Sequence, residues 1–246
     1  MAATRYVTPL REGGSLPAIV EGEDDGLYVL KFRGAGQGTK ALVAELVAGE
    51  IARAAGLSVP EIVFAELDPE LARTEADPEI QELIRASAGL NLALDYLPGA
   101  VTFDPVVEEP DARLASSIVW FDALVANIDR SPRNVNLLMW HRRLWLIDHG
   151  AALYFHHSPG DFATRGREPF PQVKDHVLLP FASALRDIDA PMAARLTPEV
   201  VRGVVELVPA EWLQVPREAY VTFLTTRLAA PRVFLEEAIR ARSQHV

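Results

Sequence analysis

Short apolar segments separated by polar turns fill the first hundred residues. Segments 5–10, 17–21 and 27–32 each suit a strand, with turns at Glu12-Gly13-Gly14-Ser15 and Glu23-Asp24-Asp25-Gly26. The period changes over 39–55. There Leu42, Val43, Leu46, Val47 and Ile51 form the apolar side of a helix that closes near Gly56. Strands are expected again at 59–65 and 90–95, and the charged stretch 68–88 between them holds one short helix. Helical patterns then take over. Segment 115–127 is strongly apolar, and 175–185, 197–207, 217–228 and 231–242 also read as helices. The polar, glycine- and proline-bearing stretch 154–171 suits a mobile, substrate-facing loop.

One stretch departs from the helical half: NIDRSPRNVNLLMWHRRLWLIDHG, residues 127–150. Two compact apolar runs, 137–140 and 144–147, flank the polar turn His141-Arg142-Arg143, the signature of a β-hairpin. In an antiparallel hairpin the residue ahead of the first strand lies beside the residue that follows the second. Asn134 and Asn136 are therefore expected near Asp148, with Asp129 just upstream. A carboxylate with a neutral amide oxygen suits Mg²⁺, a hard cation that keeps waters or phosphates as its remaining ligands. A further carboxylate can take a proton from an attacking hydroxyl. Phosphoryl transfer needs those parts. The five-residue step from Asp129 to Asn134 and the D-x-G at Asp148-His149-Gly150 have the kinase spacing. Asp, Asn, Ser and Pro also build ordinary turns; it is the hairpin and second carboxylate behind the loop that lend the match weight.

Composition narrows the possibilities. With 246 residues, one two-lobed unit or two small domains are both possible. Apolar residues make up 49%, enough for a substantial core. The absence of cysteine excludes disulfides, thiolate metal sites and cysteine nucleophiles. No apolar run reaches the roughly 18 residues of a membrane span, and the first residues lack the apolar stretch of a secretory signal. A cytoplasmic protein without a membrane partner is expected. The net charge of −10 argues against sequence-independent nucleic-acid binding. The histidines do not form an H-x-x-x-H pair, which disfavours a metallohydrolase.

The strand at 27–32 carries one lysine, Lys31. On an alternating strand it could simply face solvent; beside the hairpin site it reads as the lysine that holds nucleotide phosphates. The Gly13-Gly14-Ser15 turn lies where backbone N–H groups could cover phosphates. The conspicuous Gly34-Ala35-Gly36-Gln37-Gly38-Thr39-Lys40 fits neither the dinucleotide nor the P-loop spacing and reads as a connection. Helix 39–55 offers two acids, Glu45 and Glu50, as partners for Lys31. Glu45 is favoured because it shares a face with the small residues Ala41, Ala48, Gly49 and Ala52. Asp95, Tyr96 and Leu97 end strand 90–95 ahead of Pro98-Gly99. In a two-lobed kinase they form the hinge that meets the adenine.

These segments resemble the compact HipA-like kinases and, more distantly, HipA itself and the phosphatidylinositol kinases. The resemblance rests on R-E-G-G-S-L-P (11–17), Y-V-L-K-F (28–32), A-L-V-A-E-L-V-A (41–48), G-L-S-V-P (56–60), N-I-D-R-S-P-R-N-V-N-L-L (127–138) and L-I-D-H-G (146–150). It implies an α+β, protein-kinase-like fold with a β-rich N-lobe over 1–98 and an α-rich C-lobe over 99–246. It also implies use of ATP and Mg²⁺ and phosphoryl transfer to a hydroxyl, expected on a protein Ser or Thr. By motif position Asp129 is the base, Asn134 and Asp148 hold metal, and Lys31 pairs with Glu45. Gly13, Gly14 and Ser15 match the phosphate-loop region, Ser15 being a candidate for autophosphorylation. Departures from the pattern are Ser131 two residues after Asp129, His149 in place of the D-x-G aromatic, and no A-P-E motif. Two other readings compete: a catalytically silent nucleotide-binding or docking module, and a lipid or small-molecule kinase.

Overall fold

The computed structural model describes residues 1–10, 16–158 and 160–244. The Gly13-Gly14-Ser15 turn falls outside them. The amino-terminal part is a five-stranded antiparallel sheet in the order β1-β2-β3-β5-β4, made of β1 (Ala3–Pro9), β2 (Ala18–Gly22), β3 (Leu27–Lys31), β4 (Ile62–Leu67) and β5 (Gly89–Asp95). Helix α1 (Thr39–Ala54) crosses from β3 to β4, and α2 (Pro78–Ala86) lies between β4 and β5. Strand β4 begins three residues later than the pattern suggested. Pro60 has no N–H for a ladder, and Glu61 is used only through its carbonyl, which accepts from Asp95 N at 2.9 Å.

The sheet is covered on both faces, as β5 shows. Leu92 joins the large core while its neighbour Ala93 joins a small one under α2, with Leu30, Val20, Ile80 and Ile84. Strand alternation sends consecutive side chains to opposite faces. Helix α1 is buried nearly all round, from Leu42 to Ala52 save Glu50, as expected of a helix packed on two sides. One side meets the sheet closely enough that a Cβ on Gly49 would lie 2.5 Å from Ile62 Cδ1. The other side shares the large core with the carboxyl-terminal helices.

The remainder is helical around one hairpin. Helix α3 (Ala112–Val125) runs through the centre, its Ile118, Val119, Trp120, Phe121 and Leu124 fully buried. A small sheet of β6 (Val101–Thr102), β7 (Leu137–Trp140) and β8 (Arg143–Leu146) follows, paired in that order. The turn is shorter than expected: Arg143 pairs with Trp140, leaving His141 and Arg142 as a two-residue turn with both φ positive, 47° and 61°. That is the hand a hairpin turn requires.

Beyond the hairpin come α4 (Phe162–Gly166), α5 (Leu185–Arg195), α6 (Pro198–Glu206), α7 (Arg217–Leu228) and α8 (Val233–Ser243). The described residues of segment 154–171 are docked rather than free, since Phe155 is buried against Phe162, Tyr220 and Phe223. The helix expected at 175–185 does not form. Two 3-10 turns, Pro171–Asp175 and Leu179–Phe181, stand there, and His176 Nδ1 accepts from Leu178 N at 3.0 Å. The helix begins at Leu185 instead and tolerates Pro191 in its interior. Burial of Leu185, Ile188 and Met192 outweighs the hydrogen bond that proline cannot make.

Because α1 shares the large core, Ile51→Ala should destabilise the whole chain by about 2–5 kcal/mol. Urea unfolding should remain one cooperative transition; a separate early transition of the sheet region would contradict the shared core.

Candidate active site

Asp129 and Asn134 lie on the loop between α3 and β7, and Asp148 stands two residues past the end of β8. The loop folds back on itself at 131–134, where Ser131 N donates to Asn134 O at 3.0 Å and Asn134 N to Ser131 O at 3.1 Å. This turn brings Asn134 Nδ2 to Asp129 Oδ2 at 2.7 Å. Asn136 Nδ2 donates to the Asp129 carbonyl at 3.2 Å and reaches Oδ2 at 3.4 Å. Asn136 is thus tied to Asp129 by its side chain and to the segment just past β8 by its backbone, its carbonyl accepting from Ile147 N at 3.2 Å.

The loop stands on a buried polar anchor. Asp122, on the last turn of α3, is fully buried and accepts from Asn127 Nδ2 at 2.8 Å and Arg130 Nε at 2.6 Å, with His176 Nε2 at 2.9 Å. His176 Nδ1 already accepts from Leu178 N, so Nε2 carries the proton and donates. Arg130 extends the anchor by donating through Nη1 to the Asn136 carbonyl. Burial alone would raise the Asp122 carboxyl, but the Arg130 charge and the hydrogen bonds from His176 and Arg130 hold it well below the usual carboxylate range. Nothing in the local pattern connects Asp122 with Arg130 and His176. The eight-residue step to Arg130 crosses a helix end, and His176 lies in a turn that was read as helix.

Across the cleft, Lys31 Nζ lies 2.7 Å from Asp148 Oδ1 and 4.0 Å from Glu45 Oε2. Glu50, the alternative acid, is half-buried and faces Arg53 at 3.6 Å instead. Burial would lower Lys31, but Glu45 and Asp148 together raise it. Burial would likewise raise Glu45, and Lys31 with a hydrogen bond from His149 brings it below its ordinary value. Asp129 behaves oppositely. Half-buried, it is pushed up by burial, partly offset by the Asn134 hydrogen bond and reinforced by the negative charge of Asp148.

A cavity of about 360 Å³ is lined by Lys31 and Glu45 from the sheet side and by Asp129, Asn134 and Asp148 from the loop side. Ala35, Gly36 and Gln37 of the β3–α1 connection also line it, which the sequence reading did not foresee. Asp95, Tyr96 and Leu97 do not line it. Tyr96 N–H is committed to the Leu27 carbonyl at 2.9 Å. Gly13, Gly14 and Ser15 lie outside the described residues.

The donor set suits a hard divalent cation. Asn134 uses its Nδ2 on Asp129, which leaves Oδ1 available, and Asp148 engages Lys31 through Oδ1 only. One carboxylate and one amide oxygen are the few protein ligands that Mg²⁺ takes beside phosphates and water. Among the described residues no three His, Cys, Asp or Glu gather into a self-sufficient cage.

A family model described as HipA-like kinase matches residues 4–233. Among solved structures, the Helicobacter pylori proinflammatory kinase CtkA aligns with a TM-score of 0.58 at 13% identity, over 100% of this chain and 99% of that one. A Golgi casein kinase with Mn/ADP bound gives 0.58 at 10% identity, over 99% and 74% of the two chains. A further Golgi casein kinase structure gives 0.54 at 10%, over 98% and 72%. At such identities the likeness is one of fold, and it is the two-lobed α+β fold of kinases. No curated protein sequence matches the chain.

Removing the anchor should be costly. Asp122→Ala leaves Arg130 buried and unpaired, and a loss of about 3–5 kcal/mol is expected in chemical denaturation. The Asp122 carboxyl is lowered in the folded state, so its contribution is complete above the unfolded value of 3.8 and fades as pH falls below it. Wild type should therefore lose stability below about pH 4 more steeply than Asp122→Ala.

Proposed function

The chain belongs to the HipA-like kinase family, and on that premise we propose that it transfers the γ-phosphoryl group of ATP to a Ser or Thr hydroxyl of a protein, with Asp129 as the base. The observation that carries this reading is the shared cavity. Asp129, held by Asn134 at 2.7 Å, faces the same space as Asp148, held by Lys31 at 2.7 Å.

In the proposed step Asp129 accepts the proton of the acceptor hydroxyl as that oxygen forms its bond to the γ-phosphorus. The bond from the γ-phosphorus to the bridging oxygen breaks, and ADP leaves with the electron pair. A raised carboxyl suits this work, because a base is most effective when its affinity for protons approaches the working pH. Lys31 would hold the α and β phosphates, with Glu45 keeping its ammonium in place. Asn134 and Asp148 would hold Mg²⁺, which when bound neutralises charge on the phosphates. Gly13, Gly14 and Ser15 would cover the phosphates, and backbone groups of 95–97 other than the committed Asp95 and Tyr96 N–H groups would meet the adenine. Residues 1–98 would then act as the nucleotide lobe and 99–246 as the acceptor lobe.

Transfer from γ-labelled ATP to the protein and to a lysate is the direct test. Asp129→Ala should lower transfer by roughly 10²–10⁴-fold while the melting shift produced by nucleotide persists. A melting shift in wild type with no transfer to any acceptor would favour a silent nucleotide-binding module. Transfer only to lipid vesicles would replace the protein acceptor. The acid limb of the rate should lie above the ordinary aspartate value of 3.8, because Asp129 must be deprotonated and its carboxyl is raised.

A further inference from the structure

The middle residue of the Asp148-His149-Gly150 turn is a wholly buried histidine. Its Nδ1 lies 3.3 Å from Glu45 Oε1, and its ring meets Phe121 edge-on at 5.8 Å. Glu45 divides its two oxygens, Oε1 towards His149 and Oε2 towards Lys31. Lys31 in turn reaches Asp148, the chain neighbour of His149. The four residues close a ring that joins β3, α1 and the turn after β8.

The proton on this imidazole can be located. An ionised Glu45 can only accept, so Nδ1–H donates to it, and in the neutral imidazole Nε2 is then a bare acceptor. Nε2 is buried and has no hydrogen-bond partner among the described residues. A buried acceptor without a donor destabilises the fold, and an apolar side chain at 149 would avoid that cost. The imidazole therefore sits where packing alone favours a hydrocarbon, and what it supplies is a side-chain N–H on Glu45, beside the backbone N–H of His149 that any residue at 149 would keep.

We propose that His149 is a positioning residue for the phosphate lysine: its Nδ1–H holds Glu45 Oε1, so that Oε2 stays turned towards Lys31 when Asp148 is drawn to metal. This deepens the proposed function and rests on its reading of Lys31, Glu45 and Asp148. In the structure Lys31 leans on Asp148. Once that carboxylate has another partner, Glu45 is its remaining counter-charge, and Glu45 is fixed in place by His149. The D-x-G turn thus controls the lysine by two routes, directly through the side chain of residue 148 and indirectly through that of residue 149.

The test compares His149→Asn, His149→Gln and His149→Leu in the full chain. Asparagine places an N–H where Nδ1 stands, glutamine places its amide one carbon further out, and leucine supplies none. The readouts are the dissociation constant for ATP with Mg²⁺ by calorimetry, KM and kcat for transfer, and the melting temperature. His149→Leu should weaken ATP binding about tenfold, the scale of one hydrogen bond to a charged group. His149→Asn should recover most of that and His149→Gln little. In a Glu45→Gln background, His149→Leu should add nothing further, because its effect passes through Glu45. Unchanged ATP affinity in His149→Leu, or effects that multiply in the Glu45→Gln background, would overturn the inference. If the leucine variant does not fold, equal ATP affinity in the asparagine and glutamine variants overturns it and the predicted difference supports it. Wild-type protein that binds no ATP would overturn the reading of the site, and this inference with it.

Discussion

One buried carboxylate carries the loop that bears Asp129. Asp122 gives up its hydration inside the helical half and recovers it as hydrogen bonds from Asn127, Arg130 and His176. These donors come from both sides of Asp129 in the fold: two from the loop itself and one from a distant turn. The chain around Asp129 is therefore anchored from both sides by its neighbours, and the Asp129 carboxylate needs only the amides of Asn134 and Asn136 to fix its direction. That leaves a half-buried carboxylate free to face the cavity with its proton affinity raised. The same desolvation acts on the two aspartates with opposite results, because Asp122 has a cation against it and Asp129 has Asp148 across the cleft.

The second constraint is the placement of α1. In this chain α1 is fastened to the helical half at both ends. Thr39 Oγ1 donates to the Trp212 carbonyl at 3.1 Å, and Arg195 Nη1 donates to the Ala55 carbonyl at 2.5 Å, just past the last turn. Its apolar residues enter the large core rather than the small one under α2. Glu45 is thus carried into the cleft by packing from both halves, and the Lys31–Glu45 approach is built into the fold. Gly49 allows that fit, since a side chain there would collide with Ile62.

Much of this was legible in the residues. The hairpin, its strands and the polar loop before it follow from apolar runs and turn formers, and their spacing already put Asp129, Asn134 and Asp148 together. Lys31 on a strand was readable in the same way, and the small-residue face of the helix favoured Glu45 over Glu50 without deciding between them. Other features were not. The strand after Gly56 was set too early, because Pro60 interrupts the ladder. The helix at 175–185 failed because His176 is recruited by Asp122 and its neighbours turn to suit it. The part of α5 beyond Leu185 was hidden by Pro191, whose penalty is local while the burial that offsets it is tertiary.

Sequence alone determined the kinds of element and the chemistry of their ends, because periodicity and turn propensity act over a few residues. It determined that two carboxylates and an amide would meet at one end of a hairpin, because antiparallel pairing fixes that neighbourhood. Tertiary structure decided which acid reaches Lys31, with Glu45 taken inward and Glu50 left to Arg53. It also decided that Asp122, Arg130 and His176 form one buried unit, and that His149 faces Glu45. Those pairings join residues 8 to 104 positions apart. A buried charge takes its partner from whatever the packing brings within hydrogen-bonding reach, and that is a property of the assembled core.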